Sequence, residues 1–207
     1  MLLLAGWIAI DLLYPFKRNI SNINAEETAR MDAAMWRSYY EKKPLKLFLQ
    51  SARLMRKEFD FPFWRSHRAA YYAAKAAFVF KDGKDRSDYE KALPYLKKYF
   101  SLIDGISTTT FNIDSAARTE LEWWIIRRDR EKHTPAEWEN WLAATASVMY
   151  YLPEESFKEY ANLRVKAMLL RDEKGASITE GDWQTINEIL LEAWQSFAHA
   201  LKPKPAT

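Results

Sequence analysis

The chain has 207 residues, with 31 basic and 28 acidic side chains that give a net charge of +3. That length suits a single ample domain. The near balance of interleaved charges argues against a nucleic-acid partner, because such proteins concentrate basic side chains on one face. The absence of cysteine excludes disulfides, thiolate metal sites and cysteine nucleophiles. Nine tryptophans predict an aromatic core, and only five glycines argue against a mostly β protein.

The amino-terminal segment is apolar from residue 2 to residue 14, apart from Asp11. As a helix that rises ~1.5 Å per residue it would be roughly 20 Å long, short of the ~30 Å hydrocarbon core of a bilayer. It lacks a basic start and a small-residue cleavage site, so a secretory signal is not expected. Lys17 and Arg18 follow it, and the positive-inside rule would keep the rest of the chain on the cytoplasmic side.

These features predict three parts: an apolar helix in residues 1–20, one helical domain in residues 21–201 and a flexible tail in residues 202–207. The apolar helix belongs to the core, or it docks on a protein partner, a second copy of the chain or a membrane surface. The expected location is cytoplasmic, with the cytoplasmic face of a membrane as the alternative.

Helix signals in the first half of the domain are clear. Asn24 and Glu27 have the spacing of a capping box and predict a helix over about 25–42. Pro44 suits the first turn of a second helix, whose apolar residues recur at the helical period. Asp60 is the expected cap of a third helix, with Pro62 in its first turn.

The second half continues in the same way. Ser87 and Glu90 suggest another capping box, and Gly105 should end that helix. The next helix should begin at Asp114 or Ser115, and the one after it at Thr134, which forms a capping box with Glu137. Pro153 should start a helix that runs to about Asp172, and the last helix should run from about residue 180 to about residue 201. No segment is a convincing strand. The predicted fold is all-α, an irregular multi-helix bundle of about eight helices with no sheet.

The clearest candidate for a polar site begins with Asp32, which shares a helix face with Met35 and Trp36. An inward aspartate needs a partner, because an unpaired buried charge is costly. Other helices could supply one, so we consider a ligand-binding network of the following residues: Asp32, Arg37, Tyr40, Glu122 and Arg164. Ordinary ion pairs at helix edges are the alternative explanation.

Other chemistries find little support. A di-iron bundle needs an acid three residues before histidine, but Trp64, Arg130 and Ser196 hold those positions. Asp129 and His133 could share a metal, although their arginine neighbours favour a surface pair. His67 could serve as a haem ligand or general base, but a lone histidine beside arginines is more often solvated. We predict no metal and no cofactor.

Two functions of different classes remain. The first is a non-catalytic helical interaction protein that docks through its amino-terminal helix on a membrane surface or a larger complex. The second is a small-molecule-binding protein or enzyme whose pocket combines tyrosines with the polar network. The sequence leaves open whether the protein is an enzyme.

Overall fold

The computed structural model describes residues 2–202, with side chains from residue 6 onward. Apart from Lys202, the predicted flexible tail lies outside the described residues. Within that part the chain forms ten α-helices and no β-strand, which confirms the all-α prediction. The helices are α1 (Leu2–Leu13), α2 (Ala25–Tyr40), α3 (Pro44–Glu58), α4 (Phe63–Asp82), α5 (Arg86–Glu90), α6 (Leu93–Ile106), α7 (Ile113–Arg128), α8 (Pro135–Tyr150), α9 (Lys158–Lys174) and α10 (Glu180–Ala200).

Eight of these helices form a closed ring. From α2 to α10, with the single-turn α5 set aside, each helix packs against the next one along the chain, and α10 packs against α2. Short connections favour such neighbours, because two consecutive amphipathic helices can bury their apolar stripes against each other. Helix α1 stands outside the ring and packs against α4.

The interior contains two hydrophobic cores that meet along α7 and α8. One core is built mainly from α8, α9 and α10 around Phe157, which is fully buried. The other is built from α3, α4, α6 and α7 around Leu96. The consecutive residues Ile125 and Ile126 of α7 belong to different cores, because they point about 100° apart on a helix. Tyr150 packs against both cores.

Several predicted helix starts are confirmed. The side chain of Asn24 accepts a hydrogen bond from the Glu27 amide, and Thr134 and Glu137 form a complete capping box. Pro44 lies in the first turn of α3 as expected. Pro153 is followed by a 3₁₀ turn (Glu154–Phe157) before α9 begins.

Three cap predictions were wrong. Helix α5 is capped by Asp85 and not by Ser87, and α7 is capped by Asn112 and not by Asp114 or Ser115. In both places an Asp or Asn earlier in the chain is the N-cap, because its side-chain oxygen accepts a hydrogen bond from the backbone amide three residues later. Asp60 does not cap α4 either, as described below.

One further difference concerns the helix predicted to run from Ser87 to Gly105. The helix is interrupted after α5, and a separate helix, α6, begins at Leu93 with Pro94 in its first turn. Proline is tolerated there because the first-turn amide has no partner within the helix. Among the described residues, no helix has both the length and the hydropathy to cross a bilayer.

Candidate functional site

Helix α1 is attached to the ring by a buried carboxylate. The Asp11 side chain accepts hydrogen bonds from the backbone amides of Trp64, at 3.1 Å, and Arg65, at 3.2 Å. These first-turn amides have no partner inside α4, and Pro62, which precedes the helix, supplies no side-chain cap. A side chain from another helix therefore caps α4. Asp60, the predicted cap, instead pairs with Arg18 at 3.2 Å.

Helix α1 and the residue that follows it expose large apolar side chains to solvent, with Leu13 on the side opposite Asp11. Ile10 is 61% exposed and Leu13 is 79% exposed, and Trp7 and Tyr14 are also exposed. Leaving such side chains in water forgoes about 1.5–3 kcal/mol each relative to full burial. A contiguous patch of exposed apolar side chains is a candidate interaction surface.

Aromatic rings connect this patch to α3. The ring of Phe63 lies 5.8 Å from Trp7 and 4.4 Å from His67, and His67 lies 6.1 Å from Phe48. His67, which the sequence offered as a haem ligand or base, has its Nδ1 atom 2.7 Å from the Phe63 carbonyl oxygen. Its place in this row is packing between α1, α4 and α3.

The pair of helices α3 and α4, of which α4 packs against α1, is strongly basic. Residues 42–81 contain ten basic and two acidic side chains, although the whole chain is nearly neutral. Along the outward stripe of α3, two exposed leucines, Leu45 and Leu49, are followed by two exposed arginines, Arg53 and Arg56. Within the described part of the chain, neither arginine forms a salt bridge.

These side chains define one surface, which we name the docking face. It combines apolar side chains of α1 with leucines and unpaired arginines of α3, joined by the aromatic row. Its members are Trp7, Ile10, Leu13, Tyr14, Leu45, Leu49, Arg53 and Arg56. The apolar α1 segment is evident from the sequence, but the α3 stripe was not predicted; its signal is the i, i+4, i+8, i+11 spacing of residues 45, 49, 53 and 56.

The predicted polar network is only partly assembled. Asp32 is buried and forms an ion pair with Arg164 across the ring from α2 to α9. The indole Nε1 of Trp194 donates a second hydrogen bond to the same carboxylate, at 2.9 Å. The guanidinium group of Arg164 lies within 6 Å of the ring centroids of Trp36, Tyr160 and Trp194. Burial acts to lower the pKa of Arg164, but the nearby Asp32 carboxylate outweighs burial, so the pKa of this guanidinium is raised.

Two other members of the predicted network lie on the outer surface. Arg37 donates to Glu41 at 2.8 Å and to Glu180 at 2.8 Å. Glu122 accepts from Arg86 at 3.0 Å. Both groups connect neighbouring helices, and neither reaches Asp32.

Tyr40, the last residue of α2, is half-buried against the end of α9. The guanidinium carbon of Arg171 lies 4.0 Å from its ring centroid, and burial raises the pKa of its phenol group. Of the five predicted residues, the structure thus brings together only Asp32 and Arg164. The proposal that the five bind one ligand stays a prediction.

Two surface depressions lie away from these residues. One of about 440 Å³ lies between the start of α2 and the end of α10, and one of about 350 Å³ lies between α8 and α9. Neither is lined by any residue of the predicted network.

Glu120 is an ionisable group that the sequence did not single out as a site. It accepts a hydrogen bond from the indole Nε1 of Trp124 at 2.8 Å, one helical turn away. Burial raises the pKa of this carboxyl group above its ordinary value. The i, i+4 spacing of a glutamate and a tryptophan was the available signal.

No cluster of three metal-ligating side chains occurs in the part of the chain that the structure describes. His133 pairs with Glu137 at 3.2 Å and not with Asp129. No protein-family model matches the chain, and no curated protein or solved structure is significantly similar to it.

Proposed function

We propose that this protein docks on the surface of anionic membranes through its docking face. Helix α1 would lie in the plane of the membrane interface, and the arginines of α3 would contact lipid phosphates. The observation that carries the proposal is the exposed apolar side of α1 beside a hairpin with eight more basic than acidic residues.

The dimensions and side chains of α1 suit an interfacial helix. Its twelve residues make about 18 Å of helix, which is too short to span a bilayer but sufficient to lie along it. Trp7 and Tyr14 are residue types that favour the headgroup boundary, and Ile10 and Leu13 supply apolar area. Each lysine or arginine near an anionic surface adds about 1 kcal/mol of attraction.

Charge distinguishes a membrane from a protein partner. The centre of a protein interface is depleted of charged residues, because buried charges need partners. Here Arg53 and Arg56 stand in the same stripe as the exposed Leu45 and Leu49. An anionic membrane offers mobile headgroup charges directly above an apolar acyl-chain layer, so it matches this mixture better than a protein surface does.

Vesicle flotation tests the proposal. The protein is mixed with neutral phosphatidylcholine vesicles or with vesicles that also contain phosphatidylserine, at low and high salt. We expect flotation with the anionic vesicles, reduced by salt because surface charges are screened. Failure to float with anionic vesicles at low salt would refute the proposal.

The informative variant changes exposed side chains only. Deletion of residues 1–16 would also remove Asp11 and uncap α4, so it would confuse folding with binding. The double variant Ile10→Gln/Leu13→Gln keeps the cap and should lose most flotation. Leu169→Gln, which changes an exposed leucine on α9, is the matched control and should float like the unmodified protein. If the unmodified protein, the double variant and the control float equally, binding depends on charge alone and α1 has no part in it.

A further inference from the structure

Three cations gather around two tyrosine rings between α4 and α6. The Lys98 ammonium lies 5.5 Å from the ring centroid of Tyr72 and 6.0 Å from that of Tyr95. The Lys75 ammonium lies 5.9 Å from the Tyr95 centroid, and the Arg68 guanidinium carbon lies 5.8 Å from the Tyr72 centroid. We name these five residues the cation–tyrosine cluster.

No acidic side chain balances this cluster among the described residues. None of the three cations forms a salt bridge there, and α4 contains no acid before Asp82, its last residue. Helix α6 contains one acidic residue, Asp104, whose carboxylate accepts a hydrogen bond from the Phe111 backbone amide at 2.8 Å in the loop before α7. The tyrosine rings attract cations but carry no net charge, so the repulsion among three neighbouring cations remains. A bound anion would relieve it.

The cluster lies next to the docking face. Arg68 is one helical turn beyond Trp64 on α4, and the Trp64 ring packs 5.8 Å from Trp7 of α1. A ligand at the cluster would therefore be close to the membrane interface that α1 is proposed to enter.

We infer that the cation–tyrosine cluster binds the phosphomonoester headgroup of an anionic lipid, such as phosphatidic acid. This inference rests on the proposed membrane docking and adds a lipid preference to it. A phosphomonoester carries about −1.5 to −2 charges near neutral pH, whereas a phosphodiester carries about one. The guanidinium of Arg68 can donate two parallel hydrogen bonds to a phosphate, and the lysines add point charges on either side.

The test compares vesicles of equal surface potential. One set contains phosphatidylcholine with phosphatidic acid, and the other contains phosphatidylcholine with enough phosphatidylserine to match the measured zeta potential. We expect roughly tenfold tighter binding to phosphatidic acid, since three exposed charge contacts each contribute a modest gain. The variant Arg68→Gln/Lys75→Gln/Lys98→Gln should lose this preference yet still float with phosphatidylserine.

The control removes the same charge elsewhere. Arg130→Gln/Lys132→Gln/Lys166→Gln lowers the net charge equally on the α7–α9 side and should keep the preference. If the unmodified protein binds both vesicle sets equally, the inference is wrong while membrane docking stands. If both triple variants lose the preference alike, net charge explains it and the cluster is no site.

Soluble glycerol 3-phosphate tests the cluster independently of membranes. When glycerol 3-phosphate is titrated into the protein, the NMR signals of the amides near Arg68 and Lys98 should shift only weakly. The triple variant of the cluster should show no such shifts.

Glycerol 3-phosphate that binds as tightly as the vesicles would identify a free phosphate ester as the ligand and overturn the lipid assignment. An oligonucleotide that outcompetes phosphatidic acid vesicles for the cluster would overturn it in favour of nucleic acid. If no vesicle binds and glycerol 3-phosphate causes no shift, both proposals fail.

Discussion

The α3–α4 pair and the α9–α10 pair are both adjacent helices of one ring, but their exposed surfaces differ in charge and in apolar side chains. Residues 42–81 have ten basic and two acidic side chains and expose Leu45, Leu49, Tyr71 and Phe78. Residues 158–200 have five basic and seven acidic side chains and expose one large apolar side chain, Leu169. Both pairs bury an apolar stripe in the ring, so folding alone does not require the difference.

The contrast separates residues that build the ring from residues that are available to a partner. In α9 and α10 the charged side chain nearest the interior, Arg164, is neutralised by Asp32, and both pack among aromatic rings. In α3 the arginines without a salt bridge among the described residues, Arg53 and Arg56, are exposed, next to leucines that the ring leaves uncovered. The first arrangement stabilises the fold, and the second supports the proposed membrane function.

The largest expected effect comes from breaking the inner ion pair. Asp32→Ala leaves the Arg164 guanidinium and the Trp194 indole without their acceptor, and we expect a loss of about 3–5 kcal/mol in the free energy of unfolding. Urea denaturation followed by tryptophan fluorescence measures it. Asp32→Leu/Arg164→Met, which removes both charges, should recover most of the loss; a double variant as unstable as Asp32→Ala would contradict this explanation.

Removal of the cap that attaches α1 should have the next largest effect. Asp11→Ala exposes the unpaired first-turn amides of α4 and should lower the free energy of unfolding by about 1–2 kcal/mol. Hydrogen exchange should accelerate at the amides of Trp64 and Arg65 in particular. Thr134→Ala, which removes the cap of α8, is a control with a similar loss of stability and unchanged exchange at α4.

A pH-dependent effect is expected at Glu120. Its folded-state pKa is raised by burial, so its contribution to stability is fully present below the unfolded value of 4.5 and is lost as the pH rises through the folded pKa. Glu120→Gln, whose amide oxygen can still accept from Trp124, should escape that loss. The variant should therefore gain stability over the unmodified protein above pH 4.5, and the difference should vanish in more acidic solution. A difference independent of pH would contradict this assignment.

The smallest effect on stability should come from the docking face. Leu45→Gln/Leu49→Gln replaces exposed side chains and should change the free energy of unfolding by no more than about 0.5 kcal/mol per site. Flotation with phosphatidylserine vesicles should nevertheless fall. Loss of stability comparable to that of Asp11→Ala would mean that these leucines belong to the fold and not to a surface.

The sequence predicted the helices better than their connections. Thr134 and Glu137 marked α8 correctly, because a capping box depends on residues three positions apart. The cap of α4 could not be found in this way, since Asp11 is more than fifty positions away along the chain. The same reason explains the mixed result for the polar network: the need of Asp32 for a partner could be inferred, but a helix pattern does not tell which distant arginine meets it.

The amino-acid sequence by itself determined that this chain is all-α, where most of its helices begin, and that Asp32 requires a counter-charge. Those properties follow from local hydrogen bonding and from the helical period, which act over a few residues. Only the tertiary structure decided that eight helices close a ring, that Asp11 caps α4, and that the apolar side of α1 faces solvent beside unpaired cations. These depend on which helices become neighbours, and packing between distant segments determines that.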